Sequence, residues 1–400
     1  MKDKNIIVGV TGGIAAYKSV ELVRLILRAG AFSVKVAMTR NAARFVSPLT
    51  FRAVSGNRVI GDMWDPATEP MDHIDWAQGS DLIIIAPATA NFIGKMAHGL
   101  ADDFLSTLVL ASTAKILVCP SMNTKMLENP SVQANLDTLR ERGFTVMDPD
   151  EGELACRTEG PGRLPDPEKI VEEARTVLSE KDLSGLNVLV TAGATMEPID
   201  PVRYITNRSS GKMGYALARV ARRRGATVTL VSGPGAITPP DDVDFVRVMT
   251  SEEMREVVLE KAGRADVVIK AAAVLDYKPR KKEEYKIKKE KGSLRLELVR
   301  TPDILAELGD KKGEHGYLLV GFAAETQELV ENAKDKLERK NLDMIVANDV
   351  SRSDAGFETD TNRVKILHRE GHIEDLPLMT KEEVAEQVLD RIRGLWGERS

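Results

Sequence analysis

Apolar runs with the signature of buried strands alternate with helical spacing along most of the chain. Residues 5–10 read as a buried strand closed by Thr11-Gly12-Gly13, and residues 14–29 then take helical spacing ended by Gly30. Residues 33–38 form a second strand-like run. Residues 81–86 (DLIIIA) are almost continuously apolar, the mark of a strand covered on both faces. A helix is predicted over 100–111, with strands over 115–119 and 144–147. Strands alternating with helices predict a parallel, doubly wound sheet. Between 148 and 167 the pattern stops. Glycines, prolines and acidic residues fill this stretch, which reads as a structureless binding loop or lid. A helix over 170–178 closes the first half, and 179–185 read as a linker.

The alternation then restarts. Strands are predicted over 187–191, 227–231, 267–272, 318–322 and 344–347, with helices over 213–224 and 325–340. Residues 364–368 and 372–376, split by Glu370-Gly371, predict a terminal hairpin, and 381–395 a last amphipathic helix. The prediction is two α/β domains in tandem, 1–180 and 181–400, which are not repeats of each other.

Composition narrows the class. Four hundred residues suit two or three domains, and 42% hydrophobic with 29% charged residues is ordinary for a globular protein. A net charge of −5 argues against a general nucleic-acid binder. No apolar run is long enough for a membrane helix, and the N-terminus lacks a signal-peptide pattern. The two cysteines, Cys119 and Cys156, show neither CxxC nor Cys/His metal spacing, which fits a reducing cytoplasm.

Candidate chemistry in the first half gathers at strand ends. Gly12-Gly13, between a strand and a helix, suits either a tight turn or the approach of a phosphate to free N–H groups. It is neither GxGxxG nor a P-loop, because Tyr17 stands where the glycine before Lys18-Ser19 would be. Pro87-Ala88-Thr89-Ala90-Asn91 lies at the C-terminal edge of a strand, where open α/β sheets bind ligands, although Thr89 or Asn91 could simply cap a helix. Pro120-Ser121-Met122-Asn123 sits at the same edge, and Asn123 suits either a carboxylate or an Asx turn. His73 could act as a base or be structural. Cys156, beside Arg157 in the long loop, could be a reactive thiol, whereas Cys119 at the end of an apolar strand reads as core.

Taken together, GGIAAYK, His73, PATAN, PSMN and Ala155-Cys156-Arg157 before a GPGR loop resemble the flavin-dependent cysteine decarboxylase family over nearly all of residues 1–170. The resemblance implies a flavodoxin-like flavoprotein domain that binds FMN through Gly12, Gly13, Thr39, Pro87, Ala88, Thr89 and Ser106. It implies His73 as base, Asn123 as ligand of the substrate carboxylate and Cys156 as proton donor. In that chemistry the substrate thiol is oxidised to a thioaldehyde, whose sulfur accepts the electrons left when CO₂ departs. The resulting enethiol is then reduced by the reduced flavin with a proton from Cys156.

In the second half, residues 200–214 precede a helix. Ser209 and Ser210 are good N-cap residues, and Arg203, Arg208 and Lys212 converge on the helix start, which favours a phosphate-bearing ligand over a plain capped helix. The basic run 278–291 reads as a solvated hairpin, or as a flap carrying Lys286, Lys288 and Lys289 to a triphosphate. Asp276 suits a base, a ribose or Mg²⁺, or a strand-end turn.

VRYITNRSSGKMG, AAAVLDY, KIKK, TPDIL, GFAAET and NLDMIVAND resemble phosphopantothenate–cysteine ligase of the CTP-using type. The resemblance implies a Rossmann-like ligase domain with the C-terminal hairpin. The substrate carboxylate would be activated as an acyl-cytidylate and then attacked by the amine of cysteine. Asn207 would stabilise the acyl-cytidylate and Lys286 would act at the phosphates. Asp276, Pro302, Asp303, Ile304, Leu305, Phe322, Lys336 and Lys340 would surround CTP, with Mg²⁺ on the triphosphate. Gly193-Ala194-Thr195 departs from the Gly-Gly-Thr pattern expected there. Together the halves imply two successive steps of coenzyme A synthesis. The substrates would be 4′-phosphopantothenate, L-cysteine and CTP, with no nucleic acid or membrane partner. Trimer-based flavin domains, with sites at subunit contacts, and dimeric ligase domains are implied as well. A flavin prenyltransferase-like enzyme and a non-catalytic regulatory flavoprotein are the rival readings.

Overall fold

The computed structural model describes residues 4–30, 32–155, 157–288, 294–325, 328–349 and 359–399. The chain divides into two compact units, Met1–Ser179 and Glu180–Ser400.

The first unit is built on a six-stranded sheet. In spatial order its strands are Val59–Ile60, Phe32–Met38, Lys4–Val10, Leu82–Ala88, Lys115–Pro120 and Thr145–Val146. Every neighbouring pair is parallel. Helices cover both faces, which is why these strands are apolar at consecutive positions rather than alternate ones. Ile6, Val8 and Val10 join one core, and Ile7, Ile83 and Ile85 the other. The expected parallel α/β sheet is present, and its strand order reverses between Lys4–Val10 and Leu82–Ala88.

Some local expectations are corrected. The stretch 14–29 splits into a 3-10 turn, Ile14–Tyr17, and a helix, Lys18–Arg28. The helix expected from 100 starts at Phe104, because Asp103 and Ser106 form a capping box there. The helix offered as the alternative reading after Thr89 is present, Ala90–His98, and ends at Gly99 in the left-handed conformation. The stretch 148–167 is not structureless. Asp150–Glu153 and Glu159–Arg163 pair as an antiparallel hairpin, which carries few apolar residues and so leaves no hydrophobic pattern to read.

The second unit repeats the topology with a different edge. Its eight-stranded sheet runs Asp244–Arg247, Thr227–Ser232, Asn187–Ala192, Val267–Lys270, Leu318–Glu325, Met344–Asp349, Val364–His368, Ile373–Asp375. The first six strands are parallel, and the C-terminal hairpin adds the last two antiparallel. The order reverses between Asn187–Ala192 and Val267–Lys270. Helices Ser251–Ala262 and Ile304–His315 went unread because charged residues crowd their faces.

Most of the expected linker belongs to the second unit. Leu183 is buried and its N–H donates to the Arg224 carbonyl. The buried Arg224 guanidinium grips Asp182 with two N–H groups, at 2.9 and 2.7 Å, and reaches Asp390 at 2.7 Å. A buried arginine needs such partners to offset its desolvation, so residues 181–186 have structure of their own. Among the described residues no helix is long and apolar enough to cross a membrane.

Candidate active sites

Open doubly wound sheets leave a crevice at the carboxyl ends of their strands where the strand order reverses. Each unit has a cavity there.

In the first unit the two central strand ends are tied to each other. Thr11 Oγ1 donates to the Pro87 carbonyl at 2.7 Å and accepts from the Thr89 N–H at 3.1 Å. Ser19 Oγ donates to the Ala86 carbonyl at 2.7 Å. Gly12 is required by close packing, since a Cβ there would lie 2.4 Å from Asn41 Cβ. Beside this turn a cavity of about 540 Å³ is lined by Gly12, Gly13, Thr89, Asn123 and Ala155, among others. Thr89 stands at the N-cap position of Ala90–His98 without a side-chain cap bond, so its hydroxyl is not consumed by the helix.

The Asx turn expected as the alternative use of Asn123 is present: Oδ1 accepts from the Lys125 N–H at 2.9 Å. Asn123 nonetheless lines the cavity. The hairpin is clamped onto this loop. Met122 N–H donates to the Gly162 carbonyl at 2.9 Å, and Thr124 Oγ1 to the Pro161 carbonyl at 2.8 Å. Gly162 has φ +141°, and a Cβ there would fall 2.1 Å from the Met122 carbonyl oxygen. Gly162→Ala is therefore expected to push the hairpin off the 121–123 loop and cut turnover at this cavity on the order of 10²-fold, with the fold retained. Steady-state turnover alongside circular dichroism checks this, and unchanged turnover would show that the clamp does not matter.

Cys156 lies outside the described residues, between Ala155 in the cavity lining and Arg157. Cys119 is buried in the core, where desolvation pushes its thiol pKa far up, with Glu173 adding to the effect. Of the other sequence candidates, Pro87 and Ala88 are buried in the strand end, Ser106 is buried in its capping box, and Thr39 accepts from the Ala42 N–H. His73 is half-buried on helix Asp72–Gln78. None of these five lines the cavity of its own chain. Tyr17, Lys18, Glu153 and Arg163 do line it and were missed. Only the hairpin brings the last two to the strand ends.

In the second unit a cavity of about 310 Å³ lies at the switch point, against the carboxyl ends of the central strands. Asn207 enters its lining with Nδ2 donating to the Ala273 carbonyl at 3.2 Å. Thr191 and Thr195 hold the opposite loop, their hydroxyls accepting from Ala272 N–H and Leu275 N–H, each at 3.1 Å. Gly193 adopts φ +76°, whereas Ala194 is buried beside it without a left-handed φ. The departure from Gly-Gly-Thr thus costs no strain, because the conformational demand falls on Gly193.

Neither Ser209 nor Ser210 is the N-cap residue of helix Lys212–Arg223. That place belongs to Gly211, at φ +79°, where a Cβ would crowd Gly193 N at 3.0 Å. The three cations do not converge either. Arg203 turns to Asp200 at 3.1 Å and to the Ile287 carbonyl at 3.3 Å, while Arg208 and Lys212 line the cavity. Lys381, which the sequence reading missed, joins them. Its pKa is pushed down to about 8 by burial first and by Lys212 second, against the pull of Asp360. Three cations line this cavity, and no described acidic residue does. Asn348 and Asn362 complete the polar wall.

Phe322 lines the same cavity. Asp276, Lys286, Asp303 and Lys340 do not, nor do Pro302, Ile304, Leu305 or Lys336. Lys286 is exposed, and the Ile287 N–H after it donates to the buried Asp200 carboxylate at 3.2 Å. Burial opposes the charge of Asp200, yet N–H groups of Val202, Ile287 and Arg203 hold its pKa below the usual range. Lys289 lies outside the described residues. Among the described residues, no group of three or more His, Cys, Asp or Glu could hold a metal ion.

Comparisons with known proteins fit this two-site arrangement. The Flavoprotein family matches residues 1–179, and the DNA/pantothenate metabolism flavoprotein C-terminal domain matches residues 183–395. The coenzyme A biosynthesis bifunctional protein CoaBC of Bacillus subtilis is 48% identical over 408 residues, covering 100% of both chains. CoaBC of Haemophilus influenzae is 46% identical over 98% of each chain, and that of Escherichia coli K12 45% identical over 99% of this chain and 98% of its own. The chain belongs to the CoaBC family. Among solved structures, the C-terminal domain of a CoaBC protein is 44% identical, covering 55% of this chain and 100% of its own with a TM-score of 0.48. A PPC decarboxylase variant complexed with pantothenoylaminoethenethiol is 27% identical, covering 44% and 97%, with a TM-score of 0.39. Membership of the CoaBC family bears out the expectation of a bifunctional decarboxylase and ligase of coenzyme A biosynthesis, a flavoprotein unit followed by a ligase unit. The prenyltransferase-like and regulatory readings do not account for full-length likeness to CoaBC.

Proposed function

We propose that the second unit joins 4′-phosphopantothenate to L-cysteine at the expense of CTP, through an acyl-cytidylate, and that the first unit decarboxylates the product to 4′-phosphopantetheine with FMN. The observation that carries the ligase reading is the switch-point cavity with Asn207, Arg208, Lys212 and Lys381 on its wall and no described acidic residue in that wall, Asp360 pairing with Lys212 at 2.6 Å from outside it. That wall suits a ligand bearing phosphate and carboxylate groups. The Asn207 amide, oriented by the Ala273 carbonyl, is placed to donate to charge developing on the acyl group. Lys286, on the segment anchored by Asp200, is the mobile cation for the triphosphate, and Mg²⁺ accompanies that group. Phe322, with Asp276, residues 302–305, Lys336 and Lys340, would surround the nucleotide.

For the flavin the residues present fit. The Gly12-Gly13 turn lets a phosphate approach backbone N–H groups, and the hydroxyls of Thr11 and Thr89 sit at the same strand ends. Thr39, Pro87, Ala88 and Ser106 would support that wall from the strand ends and the capping box. The match of residues 1–179 to the Flavoprotein family agrees with this choice. Bound FMN would take two electrons from the substrate thiol and return them after CO₂ leaves. Asn123 holds the carboxylate that departs, and Cys156 donates the proton that completes reduction. Ile14, Tyr17 and Met126 on the cavity rim are exposed apolar residues, which favours a second copy covering them. An assembly with sites at subunit contacts would bring His73 of one copy to the cavity of another, where it would serve as base.

The test is pyrophosphate release. With CTP, Mg²⁺ and 4′-phosphopantothenate but no cysteine, a burst of pyrophosphate is expected, and ATP should give far less. Equal release without 4′-phosphopantothenate would rule out carboxylate activation.

A further inference from the structure

The basic segment that carries Lys286 docks on a distant part of its own unit. It follows the strand Tyr277–Pro279 and meets the tip of a two-stranded ribbon, Met196–Pro198 paired antiparallel with Tyr204–Thr206. The residue after that ribbon is Asn207, which lines the switch-point cavity. Two backbone positions of the basic segment are tied to the tip. The Glu283 N–H donates to the Ile199 carbonyl at 2.9 Å. The Ile287 N–H donates to Asp200 Oδ2 at 3.2 Å, and the Ile287 carbonyl accepts from Arg203 Nη1 at 3.3 Å.

Asp200 is where these ties meet, and it is 2% exposed. Its two oxygens have different partners. Oδ1 accepts from the Val202 and Arg203 N–H groups at 2.7 and 2.8 Å, an ordinary Asx turn. Oδ2 accepts from Arg203 Nη1 at 3.1 Å and from the Ile287 N–H. The turn accounts for the first oxygen only, and an exposed asparagine would serve it as well. Burying a carboxylate is costly unless it is paired and hydrogen-bonded. The second oxygen therefore sets Asp200 apart from a plain turn residue, and its long-range partner is the peptide next to Lys286. Both polar backbone groups of Ile287 are held by the Asp200–Arg203 pair, while the Lys286 side chain stays exposed.

We propose that Asp200 is a positioning residue of the ligase: together with Arg203 it fixes the Ile287 peptide so that the neighbouring Lys286 ammonium is presented to the nucleotide phosphates. Asp200 acts through Lys286 and needs no contact with substrate. This rests on the reading that Lys286 works at the phosphates. An asparagine cannot replace it, because one acceptor oxygen serves either the turn or the Ile287 N–H, not both.

The test is single-turnover pyrophosphate release by the full chain with CTP, Mg²⁺ and 4′-phosphopantothenate, followed long enough for slow variants to register. Asp200→Asn is expected to slow release by about 10–10²-fold, the range for a misplaced group. The CTP concentration giving half the maximal rate should move by less than about threefold, because the lysine meets charge that develops as pyrophosphate leaves. On a Lys286→Gln background the same substitution should slow release by less than about twofold, since residues that act as a unit are not additive. Ile287→Pro removes the N–H without touching the carboxylate. It should reproduce the loss, again only while Lys286 is present, which keeps the test open if Asp200→Asn folds poorly. Equal fold losses from Asp200→Asn on both backgrounds, or no loss beside Lys286, overturn the proposal. Undiminished release by Lys286→Gln alone would instead overturn the reading of Lys286 beneath it, and the proposal with it.

Discussion

Asn207→Ala is expected to slow formation of 4′-phosphopantothenoylcysteine by roughly 10²–10³-fold, the usual cost of removing one donor to developing charge. Decarboxylation of supplied 4′-phosphopantothenoylcysteine should be unchanged, because Asn207 belongs to the second unit. The size of the loss follows from how the amide is held. Its Nδ2 is fixed 3.2 Å from the Ala273 carbonyl, so the donor is pre-aligned and costs no reorganisation when charge develops. The effect should fall on kcat more than on KM, since such a donor interacts with the acyl-nucleotide more strongly than with the free carboxylate. Asn207→Asp should lose at least as much. It keeps the shape but sets a carboxylate oxygen against the Ala273 carbonyl and puts a negative charge in a cavity built for anions. Chromatographic measurement of the amide product checks both variants. Activity of Asn207→Ala within a factor of about ten of wild type would remove Asn207 from the chemistry.

Cys156→Ser is expected to abolish 4′-phosphopantetheine formation while still releasing CO₂, so that the enethiol, two hydrogens lighter, accumulates. Oxidation and loss of CO₂ need no proton from this residue. On the proposed mechanism the final reduction does, and a serine hydroxyl is far too weak an acid to replace a thiol there. Cys119 cannot take over, because it is buried in the core and desolvation keeps its proton on the sulfur. Cys119→Ala should accordingly retain full turnover. Mass spectrometry of the reaction products separates the outcomes. Normal phosphopantetheine from Cys156→Ser would assign the proton to another group.

How much of this was legible depended on what holds each part in place. Strands such as Leu82–Ala88 and Asn187–Ala192 were readable because helices cover both faces, which forces an unbroken apolar run. The hairpin at 150–163 was not, because hydrogen bonds to Met122 and Thr124 hold it rather than apolar burial. Gly12, Gly13, Thr89 and Asn123 could be found because strand-end position and residue type coincide there. Arg203 misled for the opposite reason. It neighbours Arg208 and Lys212 in sequence, but the buried Asp200 claims it. Lys381 gave no signal, since it reads as the start of an amphipathic helix. Only tertiary packing makes this lysine unusual, by burying it beside other charges.

The most direct measurement is the mass spectrum of products formed by the purified full chain from 4′-phosphopantothenate, L-cysteine, CTP and Mg²⁺. The expected result is 4′-phosphopantetheine from wild type, with formation dependent on cysteine and CTP together, and accumulation of 4′-phosphopantothenoylcysteine when the flavin site is disabled by Gly162→Ala. No 4′-phosphopantothenoylcysteine with CTP or any other nucleotide would contradict the ligase assignment, and the amide forming without ever losing CO₂ would contradict the decarboxylase.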